Sequence, residues 1–329
     1  MLPRGNAVDA ACAAVLMAAA LEPGVLLGPV HFLVTGPGFG LRCVDGRQRQ
    51  PGRGAPRPRG WLPTEEVPRA ARVAVPALPA AVATALSMYG TVTLRRACEP
   101  ALDALTRNHP RRVVLASYAR EGAATCSNAV FADAMTTIAG RFAGGLLTRE
   151  DLRAVRAPAV ACHVHHHMAM APFENRGAQR SDSRRSLSGA WGAEPISIEN
   201  RDEVVQSARD CQAVCVTDRR GGVVAACYET VTDGLAIDTL GLLAPLRAEP
   251  VMRGRRRKDP GAAIPCATTI ALVDTLGEDR FDAGVGFAGH APFEHLLDEA
   301  SLDGALRDRA PAIGVIRGLK TARAYSFTP

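Results

Sequence analysis

Three groups of side chains in this sequence have types and spacings suited to chemistry. The first centres on Cys211, in the stretch Asp210-Cys-Gln-Ala-Val-Cys-Val-Thr-Asp-Arg-Arg-Gly-Gly222. A thiol stands directly before an apolar alternating run. A charged, glycine-containing turn follows, and then a second apolar run from Val223 to Tyr228. The pattern predicts a β-hairpin whose first strand opens at Cys211. A thiol in that place is either a nucleophile or a buried, inert packing group, depending on how readily it ionises. The second group is Cys162-His-Val-His-His-His-Met168. Read as one strand, His163, His165 and His167 share a face, and Cys162, Val164 and His166 share the other. Alternate imidazoles have the donor chemistry for zinc or nickel. A solvated histidine cluster on an edge strand is the other reading. The third group is Arg255 to Lys258, after Arg253-Gly254. It suits phosphates or acidic lipid headgroups, or is a plain solvated loop.

The elements that must position these groups follow from caps, periodicity and breakers. Asn6 is a helix N-cap with Asp9 in the first turn, and Pro23-Gly24 ends the alanine-rich helix near Leu21. Val30 to Val34 and Leu41 to Val44 read as strands around the turn Gly36-Pro37-Gly38. Gln48 to Trp61 is rich in Arg, Gly and Pro and reads as an exposed loop. Helical spacing marks Leu78 to Met88, Leu94 to Leu105 and Asn128 to Phe142. Thr148 caps a short helix from Arg149 to Val155, with Asp151 at the capping-box position. Ala159 to Met170 reads as one strand, and Thr268 to Val273 as another. Phe293 to Leu306 reads as helical. Residues 176–200 form a polar, Ser/Arg-rich linker between a region spanning 1–175 and one spanning 201–329, the two together making one compact domain. No β-α-β alternation at dinucleotide-binding spacing is present. Layered α/β with a largely antiparallel sheet is the expected class.

Bulk properties narrow the function. The chain has 329 residues, 47% hydrophobic and 22% charged, which is enough for a sizeable core. Its net charge of +6 is mild, and no helix-turn-helix, zinc-finger or RNP pattern accompanies it, so nucleic acid is not an expected partner. The nine cysteines lack framework spacing and several sit in apolar runs, which fits a reducing compartment. The first residues do not read as a signal peptide, and the apolar run from Ala7 to Leu21 is too short to span a bilayer. A cytoplasmic location without membrane association is therefore expected.

Several segments, in order, resemble motifs of the γ-glutamyltranspeptidases. The Cys211 stretch resembles the family's D-T-T-H-x-S-V-V-D-x-x-G-N, in which the chain cuts itself to expose an N-terminal threonine. Arg4-Gly-Asn-Ala-Val-Asp-Ala-Ala is similar to G-G-N-A-V-D-A-A. Asp45-Gly-Arg47 followed by Pro51 resembles D-x-R-E-x-A-P. Val75-Pro76 followed by Ser87-Met-Tyr-Gly90 resembles V-P-G…x-Y-G-x-L. Ala143-Gly-Gly-Leu-Leu-Thr-Arg-Glu-Asp-Leu152 is similar to G-G-x-[LI]-T-x-E-D-L. Departures are equally plain. Cys211 replaces the threonine, and Gln212-Ala213 follow it. Leu27-Gly-Pro-Val-His31-Phe replaces a glycine-rich stretch. The family's α-amino-binding cluster falls on Ala244 to Glu249, where only Glu249 is acidic. Its serine pair falls near Ile264-Pro265. Its oxyanion-hole glycines fall on Gly286-Phe-Ala-Gly289-His290.

The resemblance implies an N-terminal-nucleophile hydrolase fold, an αββα sandwich reduced in size. It implies an amide-bond hydrolase or acyltransferase of γ-glutamyl type, with a repurposed substrate in specialised metabolism. Cys211 would be the nucleophile, and its freed α-amine the general base. Arg47 would hold a substrate carboxylate, as a guanidinium grips one with two parallel hydrogen bonds. Glu249, Thr230 and Thr232 would be remnants of the substrate pocket, and Gly289 of the oxyanion hole. The alternative is an inactive homologue that binds a metabolite or a protein. No cofactor is expected. The expected partner is a small amino-acid-like molecule, and a homodimer is left open.

Overall fold

The computed structural model describes residues 5–165, 168–171, 211–231, 233–265, 268–273, 283–288 and 312–317. Within these, the helices are α1 (Ala7–Leu21), α2 (Leu78–Tyr89), α3 (Leu94–Asp103), α4 (Pro110–Glu121), α5 (Ala129–Ala139) and α6 (Arg149–Arg153). The strands are β1 (Val30–Gly36), β2 (Phe39–Gly46), β3 (Ala159–Ala161), β4 (His163–His165), β5 (Met168–Met170), β6 (Cys211–Thr217), β7 (Val223–Glu229), β8 (Gly234–Ile237), β9 (Leu242–Pro245), β10 (Thr268–Val273), β11 (Ala283–Ala288) and β12 (Ala312–Arg317).

Local capping chemistry starts α1 and α6 where the sequence says it should. The Asn6 side chain accepts a hydrogen bond from the Asp9 amide at 3.0 Å, and Asp9 accepts one from the Asn6 amide at 2.8 Å. This reciprocal box satisfies two amides that the first turn leaves orphaned. Asp9 is fully buried and also accepts from the Thr91 amide and hydroxyl and from the Val92 amide. One carboxylate thus ties the start of α1 to the link between α2 and α3. The same device recurs at α6, where Thr148 and Asp151 form a second capping box. Helix α4 is absent from the sequence reading. Its signals are His109 as N-cap, Pro110 at the first helical position, and Val114, Leu115 and Tyr118 on one buried face.

Two five-stranded antiparallel sheets, ordered β3-β2-β1-β7-β6 and β12-β11-β10-β5-β4, lie against each other, with β6 and β7 facing β10 and β11. Strand periodicity divides the first sheet between two cores. Val30, Phe32, Val34, Val44, Val224 and Ala226 face the helices, packing with Leu16, Leu78, Leu115 and Tyr118. Leu33, Cys43, Cys215, Ala225 and Cys227 face the second sheet, packing with Ala169, Ile270 and Leu272. Helix layer, sheet and sheet therefore stack in that order, as the αββα expectation requires. The expected fourth layer, the expected linker over 176–200 and the helix expected from Phe293 to Leu306 lie outside the described residues.

One expected strand is corrected. Ala159 to Met170 is not continuous: β3 pairs with β2 in the first sheet, whereas β4 and β5 pair with each other in the second. The chain changes sheets at Cys162, so a single ladder cannot hold the whole segment. Among the described residues no helix is long and apolar enough to cross a membrane.

Candidate functional site

The site is assembled at one end of the first sheet. Strands β6 and β7 form the expected hairpin, in register from Cys211 opposite Glu229 to Thr217 opposite Val223. Asp218 closes the turn by accepting from the amides of Arg220 and Gly222. It also accepts from the Ala7 amide at 2.9 Å, which anchors the hairpin to the start of α1. Cys211 is thus the first residue of a strand whose far end is pinned.

The strand opposite supplies an acid. Glu229 is 1% exposed, and its Oε2 accepts from Arg247 Nη2 at 2.5 Å. Arg247 follows β9 in a segment held by the Leu246–Val73 bridge and by the Ala248 amide bonding to the Arg72 carbonyl. An acid this deeply buried needs such a partner, because an unpaired charge there costs several kcal/mol.

Two residues further into the sheet, a cross-strand row runs through Asp45, His31, Cys227 and Ala213. His31 is fully buried. Burial pushes its pKa well below the ordinary histidine value; Asp45 opposes that shift and Arg47 adds to it. The imidazole is therefore neutral at physiological pH. Asp45 accepts from Arg47 Nε at 2.9 Å, Arg47 Nη2 at 3.0 Å and Arg49 Nη2 at 3.0 Å. Burial alone would raise its pKa, but the hydrogen bonds and charges of Arg47 and Arg49 outweigh it and bring the carboxyl down to about 2. Arg47 grips a carboxylate with two parallel bonds, as expected for its residue type, but the carboxylate is its own neighbour's.

The other expected residues scatter. Glu249 is exposed, and its nearest countercharge is Lys258 at 3.8 Å; Gln50 holds its backbone. Thr230 is half-buried just beyond β7. Thr232, Gly289 and His167 lie outside the described residues. His163 and His165 stand on β4, paired with Met170 and Met168. Among the described residues no group of three His, Cys, Asp or Glu side chains is placed to hold a metal ion. Arg255, Arg256 and Lys258 are exposed, as a solvated loop would have them. The acid that stands nearest Cys211 in register, Glu229, was missed, as was Arg247. Their signal was an acid closing an otherwise apolar strand and an arginine after an apolar hairpin.

No protein-family model and no curated protein sequence matches the chain. Solved structures do. A cephalosporin acylase from Bacillus halodurans superposes with a TM-score of 0.61 at 16% identity, covering 85% of this chain and 73% of that one. A structure of LmbA2991 gives 0.60 at 16% identity, covering 87% and 74%. The γ-glutamyltranspeptidase of Helicobacter pylori gives 0.37 at 17% identity, covering 50% and 62%, a likeness too weak to carry an argument. Paired five-stranded antiparallel sheets under a helix layer, together with the two stronger likenesses, identify the fold as the N-terminal-nucleophile hydrolase sandwich.

Proposed function

We propose that this protein is an amide-bond hydrolase or acyltransferase whose nucleophile is the thiol of Cys211, released by cleavage of the Asp210–Cys211 bond. The carrying observation is that Cys211 opens strand β6 at the end of the sheet where Glu229, Arg247, His31 and Asp45 collect. The fold supports this reading, and so do the similar structures, one of which is described as an acylase.

The chemistry runs in two stages. In maturation, the Cys211 sulfur attacks the Asp210 carbonyl carbon, and the peptide nitrogen leaves as a free α-amine. Water then hydrolyses the thioester, giving the Asp210 carboxylate and the Cys211 thiol. In turnover, the α-amine takes the thiol proton as sulfur attacks the substrate amide. That proton passes to the departing amine, and water or an acceptor amine resolves the acyl-enzyme. Glu229 sits opposite the new N-terminus and would hold its ammonium between turnovers. The substrate is a small amide rather than a γ-glutamyl compound, because Arg47 is engaged by Asp45 and Glu249 is turned to solvent.

Intact mass and a denaturing gel test this. Wild-type protein should give fragments 1–210 and 211–329, and Cys211→Ala a single chain. An uncut wild-type chain that also resists a thiol-reactive acyl probe would replace this reading with a binding scaffold.

A further inference from the structure

A second site lies beside the first, on the loops that close over α6. A cavity of about 270 Å³ is lined by Arg49, Arg53, Arg156, Asp151, Val75 and Pro158, among others. It is smaller than the roughly 300–1,000 Å³ of pockets for drug-sized molecules, so its ligand is small. Three guanidiniums line it against one carboxylate. That carboxylate is committed elsewhere: Asp151 accepts from the amides of Gly52 at 2.8 Å, Arg53 at 2.9 Å and Thr148 at 3.0 Å, and from the Thr148 hydroxyl. Among the described residues the Arg53 guanidinium makes no ion pair. Arg156 donates only to the carbonyls of Arg153 and Val155. Arg49 has a single acidic partner, Asp45. Like charges gathered in one concavity repel unless an anion joins them.

The walls are preformed. Gly52 and Gly261 have φ of +118° and +84°, conformations that side chains with a Cβ rarely adopt. Gln50 clasps the 261–262 loop, donating to the Ala262 carbonyl at 2.8 Å and accepting from the Gly261 amide at 2.7 Å. A fourth arginine packs on Gly52 so closely that a Cβ there would fall 2.4 Å from Arg257 Nη2. That nitrogen is buried with no hydrogen-bond partner among the described residues. A cavity wall that gathers more guanidinium donors than carboxylate acceptors is suited to a ligand bearing oxygens.

We infer that this cavity is a binding site for a small, doubly charged oxyanion, held by Arg49, Arg53 and Arg156. Phosphate and a short dicarboxylate share that chemistry. The inference does not rest on cleavage at Cys211 and holds for an uncut chain as well.

Isothermal titration of the full chain with inorganic phosphate, and separately with glutarate, tests it. Saturable binding of either is expected, weakened at least tenfold in the double variant Arg53→Gln/Arg156→Gln. Phosphate alone would point to a phosphate ester as the natural ligand, and glutarate alone to a dicarboxylate. Arg255→Gln/Arg256→Gln, on the exposed loop, should bind as wild type does; an equal loss there would reduce the effect to net charge and overturn the site. No saturable binding to wild type would also overturn it. Should circular dichroism show the Arg53/Arg156 double variant unfolded, Arg156→Gln alone is read. Its side chain bonds only to carbonyls at the end of α6, and unchanged affinity in that variant would dismiss the proposal.

Discussion

Cys211 and Glu229 are register partners across the β6–β7 ladder, and the Glu229 carboxylate is bonded to Arg247 at 2.5 Å. This pairing gives the strand start a fixed negative neighbour. Replacing it by Glu229→Gln should cost about 2 kcal/mol of stability, since Arg247 loses a charged acceptor. It should also slow acylation of Cys211 by a small activated ester more than tenfold, while Glu229→Asp recovers part of that rate. Denaturant midpoints and labelling rates measured on the same samples separate the two effects.

Asp45 gives an acid-stability signature. Its carboxyl is held at about 2 in the fold, below the 3.8 of an ordinary aspartate. A depressed carboxylate stabilises the folded state above its unfolded value and loses that contribution as pH falls through the folded one. About 2 kcal/mol should therefore be present at pH 6 and disappear between about pH 4 and pH 2. Urea midpoints of wild type and Asp45→Asn, compared at pH 6 and near pH 2.5, should converge at the lower pH. A constant gap would contradict the assignment.

His31 acts in a higher window. Its folded pKa lies well below the ordinary value, so the unfolded chain binds the proton first. Stability is full above about pH 6.5 and falls as pH drops below it, at up to about 1.4 kcal/mol per pH unit. His31→Gln should flatten the profile between pH 6.5 and 5, where Asp45 contributes no slope. A variant with the same slope as wild type would rule out His31 as its source.

Asp151 is the third structural acid. Removing it by Asp151→Ala orphans the amides of Gly52, Arg53 and Thr148 together. A loss of about 3 kcal/mol is expected, more than an ordinary helix cap supplies. The loop carrying Arg49 and Arg53 should lose hydrogen-exchange protection in the same variant. Unchanged protection there would confine Asp151 to its helix.

The motifs legible in the sequence were those whose chemistry is local. Asn6 with Asp9, and Thr148 with Asp151, are capping boxes written over four residues, and both form. The hairpin from Cys211 was equally legible, because alternation and a glycine turn specify it within nineteen residues. The pairing of Glu229 with Arg247 was not, because a whole hairpin, β8–β9, lies between them and only folding brings them together. Arg47 shows the converse limit. Its type announces a carboxylate partner, but not that the partner is two residues away. The strand expected over Ala159 to Met170 was legible only in part: a period of two survives a change of sheet, so periodicity alone could not reveal the break at Cys162.

The strand order β3-β2-β1-β7-β6 has a physical consequence for a chain severed before β6. β1 would belong to one piece and β7 to the other, yet they share six consecutive register pairs, from Val30–Tyr228 to Thr35–Val223. The Ala7 amide would still reach across the cut to Asp218. Such pieces would be two polypeptides in one cooperative unit: they would co-elute in native buffer, melt in a single transition and come apart only in denaturant.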